Sequence, residues 1–92
     1  MHLTDIVLWD GTTIKGPIQE QRYDSDVFER SYIKLFGEHS YTIAEMHSAT
    51  TKGERVGPGK ISDVDEIAAM RELWDLYKEG RIKGLPLMTE ER

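Results

Sequence analysis

Apolar residues cluster on both sides of one tight-turn signal near the start of the chain. Positions 6–9 are Ile-Val-Leu-Trp, the dipeptide Asp10-Gly11 follows, and Ile14 and Ile18 come next. Asp-Gly is the strongest short-range signal for a β-hairpin, because a type I′ turn needs positive φ angles that Asp tolerates and Gly adopts freely. The pattern therefore predicts a β-hairpin over residues 3–18 with a type I′ turn.

Residues 27–36 fit two different periodicities. A helix would gather four large side chains on one face, namely Phe28, Tyr32, Leu35 and Phe36. Its N-cap would be Ser25, and Gly37 would follow its last turn. A strand would alternate these side chains between two faces, and the β-branched and aromatic content favours it. We therefore expect a strand, with an α+β fold containing a helix at 25–36 as the alternative.

The chain between and after these segments is divided by turn-forming residues. Residues 19–26 are polar and follow a proline, so they predict a loop or a fraying strand end. A polar turn at 37–40 precedes Tyr41–Met46, whose composition predicts a strand. Residues 50–60 are rich in glycine and predict a flexible connector.

Residues 62–79 carry the most regular pattern of the chain. Apolar side chains cover half of a helix at about 100° per residue, and these are Ile67, Ala69, Met70, Leu73, Trp74, Leu76 and Tyr77. Ser62 or Asp63 is the expected N-cap, and Gly80 suits the position after the last turn. The pattern predicts a C-terminal amphipathic helix at 62–80 with Trp74 largely buried, followed by a tail at 81–92.

Length and composition favour one small cytoplasmic domain. The chain has 92 residues, which suffices for a single core of modest size. It has no cysteine, so disulfides and thiolate metal sites are excluded. The first residues lack the charged-then-apolar pattern of a signal peptide, and no apolar run reaches the roughly 20 residues that span a bilayer. We expect a cytoplasmic protein without membrane contact.

The net charge of −5 argues against a broad affinity for nucleic acid. Only two short islands carry net positive charge, one in the connector at Lys52, Arg55 and Lys60, and one in the tail at Arg81 and Lys83. Glycines around the first island allow backbone amides to approach a phosphate closely. Lys52, Arg55 and Lys60 are therefore the candidate anion-binding residues.

Residue types that often carry catalysis show no recognisable spacing here. His39 and His47 can approach each other across a hairpin and, with Glu45, supply metal ligands, but no known metal motif is matched. The serines lack a Gly-x-Ser-x-Gly context. Pairs of acids stand in a loop and at a helix start, where acids are favoured structurally. We predict that the protein is not an enzyme and uses no metal or cofactor.

The hairpin also carries a spacing shared with a known family. Asp10, Gly11 and Gly16 match the first signature motif of Sm-like proteins, and Tyr23-Asp24 is similar to that motif's aromatic-Asp pair, displaced by two residues. Over residues 3–56 the chain resembles this family. The resemblance implies a small Sm- or SH3-like β-barrel with a tendency to form rings, and here the barrel is followed by the helix.

Three features depart from the Sm-like pattern. The family recognises uridine partly with an Asn four residues after the Asp, but position 28 is Phe and the chain has no asparagine. The second family motif, a basic residue followed by Gly in a late strand, is absent unless Lys52-Gly53 takes its place. The family usually places its helix before the barrel. RNA recognition is therefore not carried over by the resemblance.

These patterns support two functions. The first is a non-enzymatic interaction protein, a small self-associating adaptor, regulator or inhibitor of the bacterial or phage type that binds a protein partner. The wide apolar helix face and the Leu-Pro-Leu-Met tail favour it, and the candidate partner-binding residues are Met70, Trp74, Tyr77, Leu85 and Leu87. The second is an oligomeric binder of single-stranded RNA or a small nucleotide, in which Tyr23, Phe28 or Tyr32 stacks on a base.

Overall fold

The computed structural model describes residues 2–53, 62–86 and 88–89. The strands in these residues are, in chain order, β1 (Thr4–Leu8), β2 (Thr13–Gly16), β3 (Ile18–Arg22), β4 (Tyr32–Leu35), β5 (Ser40–Thr42), β6 (Met46–Thr51), β7 (Val64–Asp65) and β8 (Met88–Thr89). The helix α1 spans Glu66–Lys78. One antiparallel sheet has the order β2-β1-β6-β7, and the other has the order β5-β4-β3-β8. The prediction of a mainly β fold with a C-terminal helix is confirmed.

The predicted hairpin is present, but its turn differs from the prediction. The Gly11 amide donates to the Leu8 carbonyl at 2.9 Å and the Leu8 amide to the Thr12 carbonyl at 2.8 Å, so three residues form the loop. Only Gly11 in this loop has a positive φ, at 92°. Asp10 keeps a negative φ, and its carboxylate accepts from the Thr12 amide at 2.9 Å. A three-residue loop closed by glycine therefore replaces the type I′ turn.

The segment predicted as a polar loop contains a strand. β3 begins directly after Pro17 and pairs antiparallel with β4. The Pro17 carbonyl accepts from the Phe36 amide at 3.0 Å, so pairing between the segments continues at the proline. The polar composition of this segment predicted a loop, yet the Gln21 side chain is buried. Its burial is possible because it donates a hydrogen bond to Glu66.

Residues 25–36 form neither a helix nor one continuous strand. A 3₁₀ turn spans Phe28–Arg30, and β4 begins at Tyr32. Before the turn, the Asp24 carboxylate accepts from two successive main-chain amides, both at 2.8 Å. Short polar side chains that bind nearby amides in this way favour turns over helices. The helical alternative is therefore wrong, and the strand is confirmed only for Tyr32–Leu35.

The strand predicted at Tyr41–Met46 is divided into two strands. β5 ends at Thr42, a 3₁₀ turn spans Ile43–Glu45, and β6 begins at Met46. Ile43 is buried, and its amide donates to the Ser31 carbonyl at 2.7 Å. The chain changes sheets at this turn, because β5 belongs to the second sheet and β6 to the first.

The start of α1 lies later than the sequence predicted. Its N-cap is Asp65, whose carboxylate accepts from the Ala68 amide at 3.1 Å. Asp63 instead accepts from the Gly53 amide at 3.1 Å, so it fastens the end of the first sheet. Neither Asp63 nor Ser62 caps the helix, because Val64–Asp65 forms β7 and pairs with β6.

The end of α1 follows the prediction. Gly80 has a φ of 78°, a conformation that glycine adopts without strain. The amides of Gly80 and Arg81 donate to the carbonyls of Tyr77 at 3.0 Å and Leu76 at 2.9 Å. These two bonds form a Schellman motif, which satisfies carbonyls at the helix terminus. The chain continues to β8, which pairs with β3.

The core draws on both sheets and on α1. Its buried apolar side chains are Ile6, Phe28, Ile33, Leu35, Ile43, Met46, Ala49 and Met70. Met70 is the contribution of α1, and Ile67 and Trp74 pack against the cluster while staying partly exposed. Part of the apolar face of the helix is thus used within the chain.

Candidate interaction surface

Trp9 is the most exposed large apolar side chain of the described residues, with 69% of its surface accessible. It stands in the loop between β1 and β2. Its ring N–H donates to the Ala44 carbonyl at 3.0 Å. Its ring meets the His47 ring edge-on, with the centroids 4.8 Å apart. The indole is therefore held in one orientation while most of its surface faces solvent.

Local features of the chain fix the position of Trp9. The pairing of β1 with β6 shifts register between Val7 and Leu8, and such an irregularity bends a strand. After Trp9, the hydrogen bond from the Thr12 amide to the Asp10 carboxylate closes the loop. The same bond lowers the pKa of Asp10 below its usual value of 3.8. The loop is thus closed by a carboxylate that stays ionised at neutral pH.

The surroundings of Trp9 are acidic. We define the Trp9 surface as Trp9, Asp10, Ala44, Glu45 and His47. Asp10 follows Trp9 in the chain and Glu45 follows Ala44, and both acidic residues are exposed. An aromatic face beside carboxylates attracts Lys and Arg, through the ring quadrupole and through ionic attraction.

Trp74 lies at the helix junction, which we define as the contacts between α1 and residues 24–31. Its ring N–H donates to the Asp24 carbonyl at 2.8 Å. Its ring packs against Phe28 with the centroids 5.9 Å apart. Lys78 Nζ lies 5.4 Å from the ring centroid and the Arg71 guanidinium carbon lies 5.8 Å from it. This indole is already surrounded by groups of its own chain.

Arg71 joins α1 to the 3₁₀ turn at the helix junction. Its guanidinium carbon lies 4.2 Å from the centroid of the Phe28 ring. One of its nitrogens is 3.2 Å from the Glu29 carboxylate, and about half of each side chain is accessible to solvent. Because exposed ion pairs contribute little, the packing of the guanidinium over the ring is the larger part of this contact.

Asp24 shapes the loop that meets α1. Its carboxylate accepts from the amides of Asp26 and Val27, and these bonds lower its pKa below 3.8. Its own amide donates to the Ser31 hydroxyl at 2.9 Å. The loop is thereby held so that the Asp24 carbonyl faces the Trp74 ring N–H.

A polar network connects the first turn of α1 to both sheets. The Glu66 carboxylate accepts from the Gln21 amide at 2.9 Å and from the Thr51 hydroxyl, which lies 2.7 Å from the Thr4 hydroxyl. Thr4 and Gln21 are buried. Burial and then the charge of Glu66 raise the pKa of Tyr23 above 10.0. Every buried side-chain N or O atom in the described residues has a hydrogen-bond partner. The network therefore has a structural role, which is to hold α1 against the two sheets.

The predicted partner-binding residues have different surroundings. Met70 is 1% exposed and packs in the core, so a partner contact does not fit its position. Trp74 has intermediate exposure and packs against the core, which agrees with the predicted burial of its ring. Tyr77 and Leu85 are half-buried, and their partner contacts stay predictions. The Leu87 prediction lies outside the described residues.

The predicted anion-binding island is described in part. Lys52 Nζ lies 3.9 Å from the Asp5 carboxylate, so this ammonium faces an acid of its own chain. Arg55 and Lys60 lie outside the described residues. Phe28 was a candidate for stacking on a base, but it is 1% exposed, so its ring is not accessible to a base.

The described histidines do not belong to a cluster that could hold a metal ion. In the described ranges, no group of three His, Cys, Asp or Glu residues is placed to hold a metal ion. The arrangement of His39, His47 and Glu45 considered from the sequence is therefore not formed. His47 packs edge-on against Trp9 instead.

Sequence reasoning missed the exposure of Trp9. The apolar run at positions 6–9 predicts that Trp9 belongs to the strand that enters the hairpin. The position of Trp9 directly before Asp10-Gly11 was a signal for its exposure. A residue in a hairpin loop lies beyond the sheet, so its side chain does not pack on either face. The carbonyl of Ala44, which fixes the ring, is 35 positions away and had no local signal.

No protein-family model, curated protein or solved structure matches this chain. The fold and its surfaces define a small β-rich domain with one C-terminal helix and one exposed, oriented tryptophan. No helix within the described part of the chain is long and apolar enough to cross a membrane.

Proposed function

We propose that this chain is a non-enzymatic interaction protein, a small self-associating adaptor, regulator or inhibitor that binds a protein partner through the Trp9 surface. The observation that carries the proposal is the 69% exposure of an indole held by a hydrogen bond and a ring contact. Tryptophan is enriched among the residues that contribute most to protein–protein binding. Because the ring is already ordered, little side-chain entropy is lost on binding.

The partner presents Lys or Arg to the Trp9 surface. The chain has a net charge of −5, and exposed acidic residues follow Trp9 and its partner Ala44 in the chain, at Asp10 and Glu45. A cation over an indole face contributes about 0.5–2 kcal/mol, with more at desolvated sites. An acidic rim also accelerates the encounter with a basic partner at low ionic strength.

The roles of the acidic side chains support a non-enzymatic protein. Asp24, Asp63 and Asp65 each accept hydrogen bonds from main-chain amides. Glu66 accepts from two neutral side chains in the polar network. These groups hold loops and a helix start in place, which is a structural use of their charge.

The strand path supports the Sm- or SH3-like interpretation of the fold. β1 lies between β2 and β6, so the two ends of the β-rich segment meet in one sheet. The chain passes from one sheet to the other at Pro17 and again at Ile43–Glu45. We propose a small barrel of this kind, assembling with itself.

A peptide selection tests the Trp9 surface. A random peptide library is selected on the wild-type chain and depleted on Trp9→Ala, and Leu3→Ala serves as control because Leu3 is also exposed, at 47%. We expect the selected peptides to be rich in Lys and Arg. Their affinity falls about tenfold or more with Trp9→Ala, as for a residue central to an interface, and stays unchanged with Leu3→Ala.

Two outcomes would contradict the proposal. Either no peptide prefers the wild-type chain over Trp9→Ala, or the selected peptides bind Leu3→Ala as weakly as they bind Trp9→Ala. A parallel titration with oligouridine and nucleotides at low salt addresses RNA or nucleotide binding. A salt-dependent signal that Trp9→Ala retains would favour that second function.

Self-association is tested separately by sedimentation of the wild-type chain at high micromolar concentration. We expect dimers or larger assemblies. A purely monomeric protein would remove self-association from the proposal and leave partner binding intact.

A further inference from the structure

One edge of β3 is covered by β8. β8 pairs antiparallel with β3, with Glu20 opposite Thr89 and Gln21 opposite Met88. The other edge of β3 pairs with β4. An uncovered strand edge presents N–H and C=O groups that readily pair with another extended segment. The β3 edge is thus a site for an extended segment, and β8 occupies it here.

The described residues of the segment that joins α1 to β8 are mostly exposed. A side-chain carbon built at Gly80 or at Gly84 would meet no atom within 4 Å. Three further residues of this segment are exposed, namely Arg81, Lys83 and Pro86. β8 itself pairs through only two residues. Among the described residues between α1 and β8, Ile82 and Leu85 are half-buried and the rest are exposed. Release of β8 therefore exposes little and breaks a short ladder.

We propose that the β3 edge also binds the tail of a second copy of this chain, so that two copies exchange β8. This inference rests on the self-association proposed above and specifies how it occurs. Each β3 keeps the same backbone pairing in the exchanged form, which makes exchange of identical elements a low-cost route to dimers.

Concentration sets the balance between the closed and the exchanged forms. A short flexible linker gives its own segment an effective concentration in the millimolar range. The exchanged form therefore grows as the protein concentration rises toward that range. A covalent trap at the β3–β8 ladder detects exchange even while the closed form predominates.

Engineered disulfides provide this trap, because the chain has no cysteine. Two single variants, Glu20→Cys and Thr89→Cys, are mixed at high micromolar concentration with oxidised glutathione. Residues directly opposite in an antiparallel ladder have Cα atoms about 4.5–5.5 Å apart, which suits a disulfide. The matched control mixes Thr89→Cys with Lys15→Cys, an exposed position on β2 in the other sheet.

We expect a covalent heterodimer from Glu20→Cys with Thr89→Cys, formed about tenfold faster than from the control pair, since pairing raises the local thiol concentration. Equal rates in the two mixtures would overturn the exchange. If the wild-type chain still sediments as a dimer or larger assembly, the proposed self-association stands and uses another surface. If it sediments as a monomer, self-association fails as well.

Discussion

The two tryptophans of this chain use the same hydrogen bond in opposite settings. Each ring N–H donates to a main-chain carbonyl, from Trp9 to Ala44 at 3.0 Å and from Trp74 to Asp24 at 2.8 Å. Trp74 packs on Phe28 beneath two cations of its own helix, whereas Trp9 meets only the edge of His47 among the described ring contacts. The hydrogen bond therefore orients both rings, and packing decides which one remains accessible.

This difference separates stability from recognition. The helix junction fills its aromatic contacts within the chain, so substitution there is expected to affect folding. Most of the Trp9 ring is accessible to solvent, so substitution there is expected to affect binding. Each of the following predictions changes one region and uses the other as its reference.

The largest expected effect is the loss of Trp74. We expect Trp74→Ala to lower the free energy of unfolding by about 3 kcal/mol, at the low end for a tryptophan in a core because the ring is partly exposed. We expect Trp9→Ala to lower it by less than about 1 kcal/mol, as for an exposed side chain with one hydrogen bond. Urea denaturation followed by circular dichroism measures both free energies of unfolding. An equal decrease in the two variants would contradict the proposed difference between the two tryptophans.

The second prediction concerns the accessibility of each ring. Trp9→Phe leaves Trp74 as the sole indole, and Trp74→Phe leaves Trp9. We expect the emission of Trp9 to lie at longer wavelength and to be quenched more strongly by acrylamide, since its ring is 69% exposed. Similar quenching constants for the two variants would show that packing does not distinguish the rings.

The third prediction compares the aspartates that shape the two loops. Hydrogen bonds hold the pKa of Asp24 and that of Asp10 below 3.8. A carboxyl with a lowered folded pKa stabilises the fold above pH 3.8, and this contribution is lost as the pH falls through the folded pKa. We expect Asp24→Ala to destabilise more than Asp10→Ala at pH 7, because Asp24 accepts two amide bonds and Asp10 accepts one.

The matched control for this prediction is Asp24→Asn, which retains an acceptor oxygen but has no charge to titrate. It should keep most of the stability and lose the Asp24 contribution to the pH dependence between about pH 5 and 2. Thermal melts across that range check both statements. An Asp24→Ala protein as stable as the wild type would contradict the role of this loop.

The smallest expected effect appears at alkaline pH. The hydrogen bond to Glu20, and then burial, raise the pKa of Tyr32 above 10.0, and burial with the charge of Glu66 raises that of Tyr23. A group with a raised folded pKa contributes stability that is complete below pH 10 and lost as the pH rises through the folded pKa. Tyr32→Phe should weaken the dependence of stability on pH above 10, whereas a steeper dependence would be inconsistent with these contacts.

The sequence predicted those elements whose signals are local. The hairpin, the helix and its Gly80 terminus follow from a turn dipeptide, an apolar period of 3.6 residues and a C-terminal glycine. The predicted turn type was wrong, because Asp10 keeps a negative φ and its carboxylate accepts a hydrogen bond from the Thr12 amide. The sequence did not predict β3 as a regular strand. The hydrogen bond that allows Gln21 to be buried is accepted by Glu66, which is 45 positions away and gives no local signal.

The candidate surface was less predictable than the fold. An apolar helix face is the usual signal for a docking site, and it drew attention to Met70 and Trp74. Whether such a face is free depends on what the rest of the chain places against it, and here Asp24 and Phe28 contact Trp74. The exposure of Trp9 depends likewise on long-range contacts, with Ala44 and His47.

The central claim, that Trp9 and not the helix junction meets a partner, is tested most directly by site-specific photocrosslinking. A photoreactive phenylalanine replaces Trp9 in one variant and Val27, 37% exposed beside the helix junction, in another. A basic peptide selected on the wild-type chain is then added and irradiated. We predict a covalent adduct from position 9 that excess wild-type chain suppresses, and little adduct from position 27. Equal adducts from both positions, or an adduct from position 27 alone, would contradict the account.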